Sequence, residues 1–249
     1  MCGIFGYIGK TNFLNTKKKI LLIKKLIEYR GSDSYGYLYK KINNNNLCFL
    51  HSRLSIIDPS PRSNQPFSDD EGIISFNGMI YNYKSIRDDL QKIGVVFKTN
   101  SDTEVLLKFL NKYGIKNLSK LDGMWAFSYY NFKKKKMYLS RDRFAEKPLF
   151  IYTTKNDVIY GSNIDYILNS VNYKFKIKKK IIENFLKYGF KSLFMSQSGD
   201  TFFKKIRFVA PGTYLEIDEN LLIKTKNFWQ PLKIKINKNL SYKSEKNKL

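Results

Sequence analysis

Between residues 124 and 163 four short apolar segments, MWAFSYYN, KMYLSRD, PLFIYT and VIYGSN, follow one another with turn-like Lys, Asn and Asp between them. This spacing predicts consecutive antiparallel strands. The strand-like segments CGIFGYIG (2–9), YGYLYKKI and LCFLH lie earlier, the last two joined by a hairpin loop, NNNN, at 43–46. GIISFNG (72–78) is a further strand, ending at Asn-Gly. Helical patterns stand apart from these clusters. Residues 17–29 place Ile20, Ile23, Leu26 and Ile27 on one face with lysines opposite, and Gly31 ends that helix. Residues 83–94 form an amphipathic helix closed by Gly, and SDTE (101–104) is a capping box, with Ser101 as cap and Glu104 three residues on. Strands and helices thus segregate rather than alternate, which predicts an α+β fold and not a doubly wound sheet.

The chain changes character after about residue 172. KKKIIENFLKYG reads as one more helix, and residues 206–229 as a hairpin turning at Asp218–Asn220. The stretch from Leu232 is rich in Lys and Asn and is expected to be disordered. The expected division is therefore a main domain over 1–172, a linker region over 173–231 and a tail over 232–249. There is no internal repeat.

With 43% hydrophobic and 16% aromatic residues among 249, the chain is neither a disordered tail nor a collagen-like fibre. No stretch approaches the ~18 apolar residues of a membrane span, and MCGIFGYIG lacks the basic start of a signal peptide. The net charge of +24 invites a nucleic-acid reading. Arg, however, supplies only seven of the 45 basic residues, whereas readers of nucleic acid favour Arg for bidentate contacts. The accompanying abundance of Asn, Ile, Tyr and Phe follows from A- and T-rich codons. Zinc-finger, RNP and helix-turn-helix signatures are absent, so a nucleic-acid partner is not expected. Two cysteines, Cys2 and Cys48, cannot make a disulfide framework, and a reducing cytoplasmic setting is the expectation.

Cys2 carries the sharpest chemistry. Loss of Met1 would leave a residue with both a thiol and a free α-amine. An α-amine titrates near pKa ~7.7–8.0 and a thiol near ~8.5, so the amine can accept the thiol proton at neutral pH. Nucleophile and general base then reside in one residue, as in N-terminal nucleophile enzymes.

CGIFGYIG, YRGSDSYG (29–36), HSRLSIID (51–58), NGMIYNY (77–83), SDTEV (101–105), DGMWAFSYY (122–130) and RDRFAEKPLF (141–150) occur in this order. The set closely resembles the glutaminase domain of class II glutamine amidotransferases. Within that class, HSRLSIID and NGMIYN resemble glutamine-hydrolysing asparagine synthetases. The resemblance is strong over about residues 2–170 and continues more weakly through APGTYLEIDENLLIKTKNFWQP, which is similar to the lead into a second domain.

The resemblance implies an αββα sandwich of two antiparallel sheets between helix layers. It implies that Cys2 attacks the side-chain amide of glutamine, releasing ammonia and leaving a γ-glutamyl thioester for water to hydrolyse. Asn77 and Gly78 would supply the oxyanion hole. Without the family context, Asn77-Gly78 would read as a tight turn. Arg53 would pair the substrate α-carboxylate, with backbone groups of Leu54, Ser55, Ile56 and Ile57 completing that wall, and Asp102 would hold the α-ammonium. Arg30, Gly31 and Asp33 match a turn expected to shape the pocket. His51, the sole histidine, leads into the loop and is structural, and Cys48 belongs to the core. No metal site is implied.

Three departures stand out. Met79 replaces the Glu of the usual N-G-E-I-Y-N, which puts glutamine affinity in question. Ser32 replaces a rigid Pro. Ala145 stands where R-D-x-x-G has Gly, a strained choice if φ is positive there. The family's synthetase domain, with its S-G-G-x-D-S loop for ATP pyrophosphate, has no counterpart; SQSGD (196–200) lacks the paired Gly. This chain therefore needs no cofactor of its own, and ATP and magnesium belong to the absent domain. A truncated product, a split subunit and a relic all fit the sequence. Two rival functions follow: a catalytically impaired interaction module and, less favoured, a basic nucleic-acid binder.

Overall fold

The computed structural model describes residues 1–11, 17–189 and 199–231. Its strands form two six-stranded antiparallel sheets. The first runs, in spatial order, β10 (Ile206–Phe208), β8 (Phe150–Thr153), β9 (Asp157–Gly161), β1 (Gly3–Gly9), β3 (Asn45–Arg53) and β2 (Ser34–Ile42). The second runs β12 (Ile223–Asn227), β11 (Thr213–Ile217), β7 (Lys136–Arg141), β6 (Gly123–Asn131), β5 (Gly72–Ile80) and β4 (Phe67–Ser68).

Alternation along each strand divides its side chains between two layers. On β6, Trp125, Phe127 and Tyr129 join a cluster with Ile86 and Leu90 of helix α2 (Tyr83–Lys92) and Leu106 and Leu110 of helix α3 (Asp102–Tyr113). Ala126 and Tyr130 point the other way, meeting Ile4, Phe49 and Tyr160 of the first sheet. The outer face of that first sheet packs Phe5, Tyr7 and Leu50 against Ile23 and Ile27 of helix α1 (Lys17–Glu28) and Tyr166 and Ile167 of helix α4 (Ile164–Ser170). Ile23 and Ile27 are fully buried, each worth about 1.5–3 kcal/mol, with Ile20 and Leu26 packed beside them as the periodicity predicts. The architecture is the expected αββα sandwich. No described helix is long and apolar enough to cross a membrane.

Several local expectations need correction. The four strands of 124–163 do not form one meander: β6 and β7 pair in the second sheet, and the chain then crosses to the first, where β8 and β9 pair. The 43–46 loop tightens to a two-residue turn, Asn43 adopting φ 52°, while Asn45 and Asn46 enter β3. The strand predicted to end at Asn77-Gly78 runs on to Ile80, so these two residues are ladder partners of Ala126 and Trp125 rather than a turn. Ser101 caps α3 by accepting from the Thr103 N–H at 3.0 Å, but Glu104 does not reach back to the cap. Its buried carboxylate instead takes the Lys98 and Thr99 N–H groups and the Thr99 hydroxyl, fixing the approach to the helix. Gly31 is needed for close approach, not as a left-handed cap: a Cβ there would lie 2.5 Å from the Arg53 carbonyl carbon.

The stretch assigned to a linker carries helix α5 (Lys179–Tyr188), and its strands join both sheets, β10 beside β8 and β11 beside β7, with β12 next to β11. The hairpin turns at Asp218–Leu221, as expected within one residue. The tail from Leu232 lies outside the described residues.

Candidate active site

The register of β5 against β6 determines which backbone groups reach solvent. Trp125 donates its N–H to the Asp142 carboxylate at 3.2 Å and accepts the Asp142 N–H at 2.9 Å, so its backbone faces away from β5. Its ladder partner Gly78 therefore points its own N–H away from β6. The same alternation turns Phe76 and Ile80 to that edge, which β4 covers only at Ile73 and Ile74. The Phe76 N–H is taken by Gln65 Oε1 at 2.6 Å and the Ile80 N–H by Asp102 Oδ2 at 3.1 Å. Between them, the Gly78 N–H opens onto a cleft of about 100 Å³ lined by Cys2, Asn77, Gly78, Met79 and Asp102. Only glycine fits at 78, because a Cβ would lie 2.1 Å from the Met124 carbonyl oxygen.

Asn77 is 2% exposed, and its Nδ2 has no hydrogen-bond partner among the described residues. A buried donor left unmet costs about 1–3 kcal/mol. Here it stands beside the unmatched Gly78 N–H on the wall of the cleft that holds Cys2.

Cys2 immediately precedes β1 and is half-buried. Its Sγ lies 3.7 Å from the Leu54 carbonyl oxygen and 3.5 Å from the Leu54 nitrogen. Burial pushes the thiol up, opposed by the Leu54 hydrogen bond and the positive chain terminus. Arg30 Nε holds the Cys2 carbonyl at 3.1 Å, and Met1 lies at the mouth of the cleft.

The loop after β3 forms the facing wall, with Arg53, Leu54, Ile56 and Ile57 lining the cleft. Arg53 is almost fully buried, and its guanidinium is not held out as a clear two-pronged fork. Its Nη1 donates to Ser60 O at 3.2 Å and Asn64 Oδ1 at 3.0 Å, and its Nη2 to the carbonyls of Ile57 and Asp58. Arg53 thus organises the loop it belongs to, leaving Nε as its remaining donor. Ser55 does not line the cleft; its N–H donates to Asp33 Oδ2 at 2.7 Å, while the Asp33 N–H donates to Arg53 O at 3.0 Å. Arg30, Gly31 and Asp33 therefore surround the cleft from behind.

Asp102 opens α3 and is 6% exposed. Burial raises its carboxyl to about 6 against hydrogen bonds from Ile80 and Thr103 and the charge of Arg53. Met79 reaches the same cleft with a neutral thioether. His51 is fully buried and does not line the cleft. Burial lowers its imidazole to about 4, and Nε2 lies 3.1 Å from Phe76 O. Cys48 is fully buried, its thiol pushed up by burial. Among the described residues no group of three His, Cys, Asp or Glu side chains could hold a metal.

Some contributors escaped the sequence reading. Gln65 links the β5 edge to α3, its Nε2 donating to Thr103 Oγ1 at 3.2 Å. Asp58 ties the Arg53 loop to the start of α3, accepting from Ser63 Oγ at 2.8 Å and the Asn100 N–H at 2.7 Å. Burial works against the Asp58 carboxylate, but these bonds prevail and hold it below its ordinary range. Asp142 gathers the N–H groups of Phe144, Glu146 and Lys147, bringing Lys147 to the cleft. Asp58 and Asp142 lie inside the HSRLSIID and RDRFAEKPLF motifs, but a carboxylate that collects backbone N–H groups leaves no mark of its own in a sequence.

Residues 1–229 match the family described as glutamine amidotransferase domain. A putative asparagine synthetase (glutamine-hydrolysing) 2 of Methanocaldococcus jannaschii is 35% identical over 210 residues, covering 76% of this chain and 40% of the relative. Asparagine synthetase (glutamine-hydrolysing) 1 of Bacillus subtilis is 35% identical over 232 residues, covering 90% of this chain and 35% of the relative. The chain thus spans well under half the length of these relatives. Among solved structures, glutamine phosphoribosylpyrophosphate amidotransferase from B. subtilis aligns with a TM-score of 0.64 at 18% identity, over 93% of this chain and 50% of that one, a likeness of fold.

Proposed function

The chain belongs to the glutamine amidotransferase domain family, and from that premise we propose that it hydrolyses glutamine to glutamate and ammonia at Cys2. The observation that carries this reading is a pair of donors on the wall of the cleft holding the Cys2 thiol: Asn77 Nδ2, without a partner among the described residues, and the Gly78 N–H, turned away from β6.

Removal of Met1 gives Cys2 its own α-amine, which takes the thiol proton. The thiolate attacks the glutamine side-chain carbonyl carbon, and the resulting oxyanion accepts from Asn77 Nδ2 and the Gly78 N–H, donors already in place before charge develops. Collapse breaks the C–N bond; the ammonium of Cys2 returns the proton to the leaving nitrogen, releasing ammonia. Water then attacks the γ-glutamyl thioester, the amine again accepting a proton; the C–S bond breaks, glutamate leaves and the Cys2 thiolate takes back the proton from the ammonium. Asp102 pairs with the substrate α-ammonium. Its raised pKa supports this role, because an incoming cation restores the charged form that burial disfavours. Arg53, through Nε and the loop it holds, faces the α-carboxylate.

Ammonia passes to an ATP- and magnesium-dependent synthetase domain or subunit acting on aspartate, by analogy with the matched relatives, in a reducing cytoplasm. The glutaminase half-reaction itself takes no cofactor. A second reading, a binding-impaired interaction module, is favoured by Met79 alone. The deciding assay is glutamate release from glutamine by purified protein, with the N-terminal mass recorded on the same sample and Cys2→Ala as control. Turnover above the control with Met1 absent supports the glutaminase; no turnover with Met1 absent overturns it and leaves the interaction module.

A further inference from the structure

Five polar side chains share the otherwise largely apolar layer between the two sheets: His51 on β3, Ser75 and Asn77 on β5, Ser128 on β6 and Tyr160 on β9. All are at most 2% exposed. His51 Nδ1, Ser75 Oγ and Asn77 Nδ2 each lack a hydrogen-bond partner among the described residues, and Ser128 Oγ and Tyr160 OH have no close partner there other than each other. Asn77 belongs to the cleft already described. The other four form a connected group behind it.

Their adjacency follows from register. Ser75 and Ser128 are direct ladder partners with side chains on the same face of the sheet. His51 reaches β5 at Phe76, between Ser75 and Asn77, through the 3.1 Å contact of Nε2 with the Phe76 carbonyl. The Tyr160 phenol extends towards Ser128 across β1, which is possible because residue 6 is glycine: a Cβ there would lie 2.1 Å from the Tyr160 hydroxyl. The Phe76 carbonyl can only accept, so Nε2 carries the imidazole proton and Nδ1 is a bare acceptor. One acceptor and three hydroxyls, each able to donate or accept, thus belong to neighbouring residues of this layer, where Tyr160 and Ser128 have only each other and His51 Nδ1 and Ser75 Oγ have no partner among the described residues. Buried polar groups are normally satisfied, and a buried water typically makes about three hydrogen bonds to such groups.

We propose that this group is an internal water site, in which buried water donates to His51 Nδ1 and bonds the hydroxyls of Ser75, Ser128 and Tyr160. The ligand is water rather than a metal, since only one ring nitrogen and no carboxylate or thiolate faces the site. The site lies one residue behind the Asn77 carboxamide and does not depend on the chain being a glutaminase.

The test is oxygen-17 magnetic relaxation dispersion on the full chain and its Ser75→Ala/Ser128→Ala variant, together with nitrogen-15 NMR of His51, the sole histidine. The wild type should show a long-lived internal water component that the variant loses, because only His51 Nδ1 and Tyr160 OH remain where a buried water typically makes about three hydrogen bonds. Its Nδ1 signal should sit at a hydrogen-bonded value and move to the bare value in the variant. If the double variant fails to fold, Tyr160→Phe, which removes one hydroxyl, should weaken the same component and move the same signal. Identical dispersion in wild type and variant, or a bare Nδ1 in the wild type, overturns the proposal. So does a crystal structure in which these hydroxyls bond one another directly and His51 Nδ1 with no water between them.

Discussion

The backbone N–H of Ile80 donates to the Asp102 carboxylate at 3.1 Å, so the end of the open β5 edge is joined to the first turn of α3 by the group proposed to face the substrate ammonium. The bond survives replacement of Asp by Asn, since a carboxamide oxygen also accepts. Asp102→Asn should therefore leave the fold intact while raising KM for glutamine at least tenfold, as loss of one partner of a buried charge pair implies. Steady-state glutaminase kinetics checks this.

The same residue makes a pH prediction. The Asp102 carboxyl is raised from 3.8 to about 6 by burial, so between those values the native state holds a proton that the unfolded state has released. Stability should accordingly fall as pH rises through this window, by up to about 3 kcal/mol, and Asp102→Asn should flatten that slope. Urea denaturation at pH 4, 5 and ~6.5 reads both proteins. Glutamine binding runs the opposite way, kcat/KM increasing as Asp102 ionises.

Asn77→Ala should lower kcat by about 10²–10³ with little change in KM, because the lost donor acts on charge that develops during reaction. The melting temperature should hold or rise, since the deleted amide is a buried donor with no partner among the described residues. A loss confined to KM would place Asn77 in ground-state binding instead.

Met79→Glu adds a carboxylate to the cleft beside Asp102. KM for glutamine should fall roughly tenfold, about 1.4 kcal/mol of added attraction for the ammonium. An unchanged KM would show that the thioether position does not meet the substrate.

Ala145 adopts φ 59°, the left-handed conformation that a side chain opposes. Its backbone is held there by the Arg141 Nη2 bond to its carbonyl at 2.8 Å. Ala145→Gly should stabilise the chain by about 0.5–1 kcal/mol, the steric relief of ~1–2 kcal/mol exceeding the extra entropy lost by glycine. Thermal unfolding measures it.

The buried face of each element was legible because alternation and helical periodicity are local: Ile23 and Ile27 fall on one face of α1, and Trp125 and Ala126 on opposite faces of β6, whatever they pack against, while the stacking of the layers was legible only through the family resemblance. The cleft residues were legible only through motifs, which place Cys2, Asn77, Gly78, Met79 and Asp102 in one site without saying how they meet. Asn77-Gly78 shows the difference, since the dipeptide taken alone reads as a turn, and pairing with Ala126 and Trp125 keeps it in a strand.

By itself, then, the sequence determined the α+β class and the buried face of each element, because periodicity is a property of the chain, while the αββα layering, the proposed nucleophile and the cleft residues were read through the family resemblance of its motifs. The tertiary structure decided direction and pairing. It turned the Gly78 N–H to an open edge, drew the Arg53 guanidinium into its own loop, carried β10 and β11 into different sheets and buried four polar side chains in the layer between those sheets. All but the Arg53 loop depend on the pairing of strands, and register is fixed where a face of the sheet finds something to pack against.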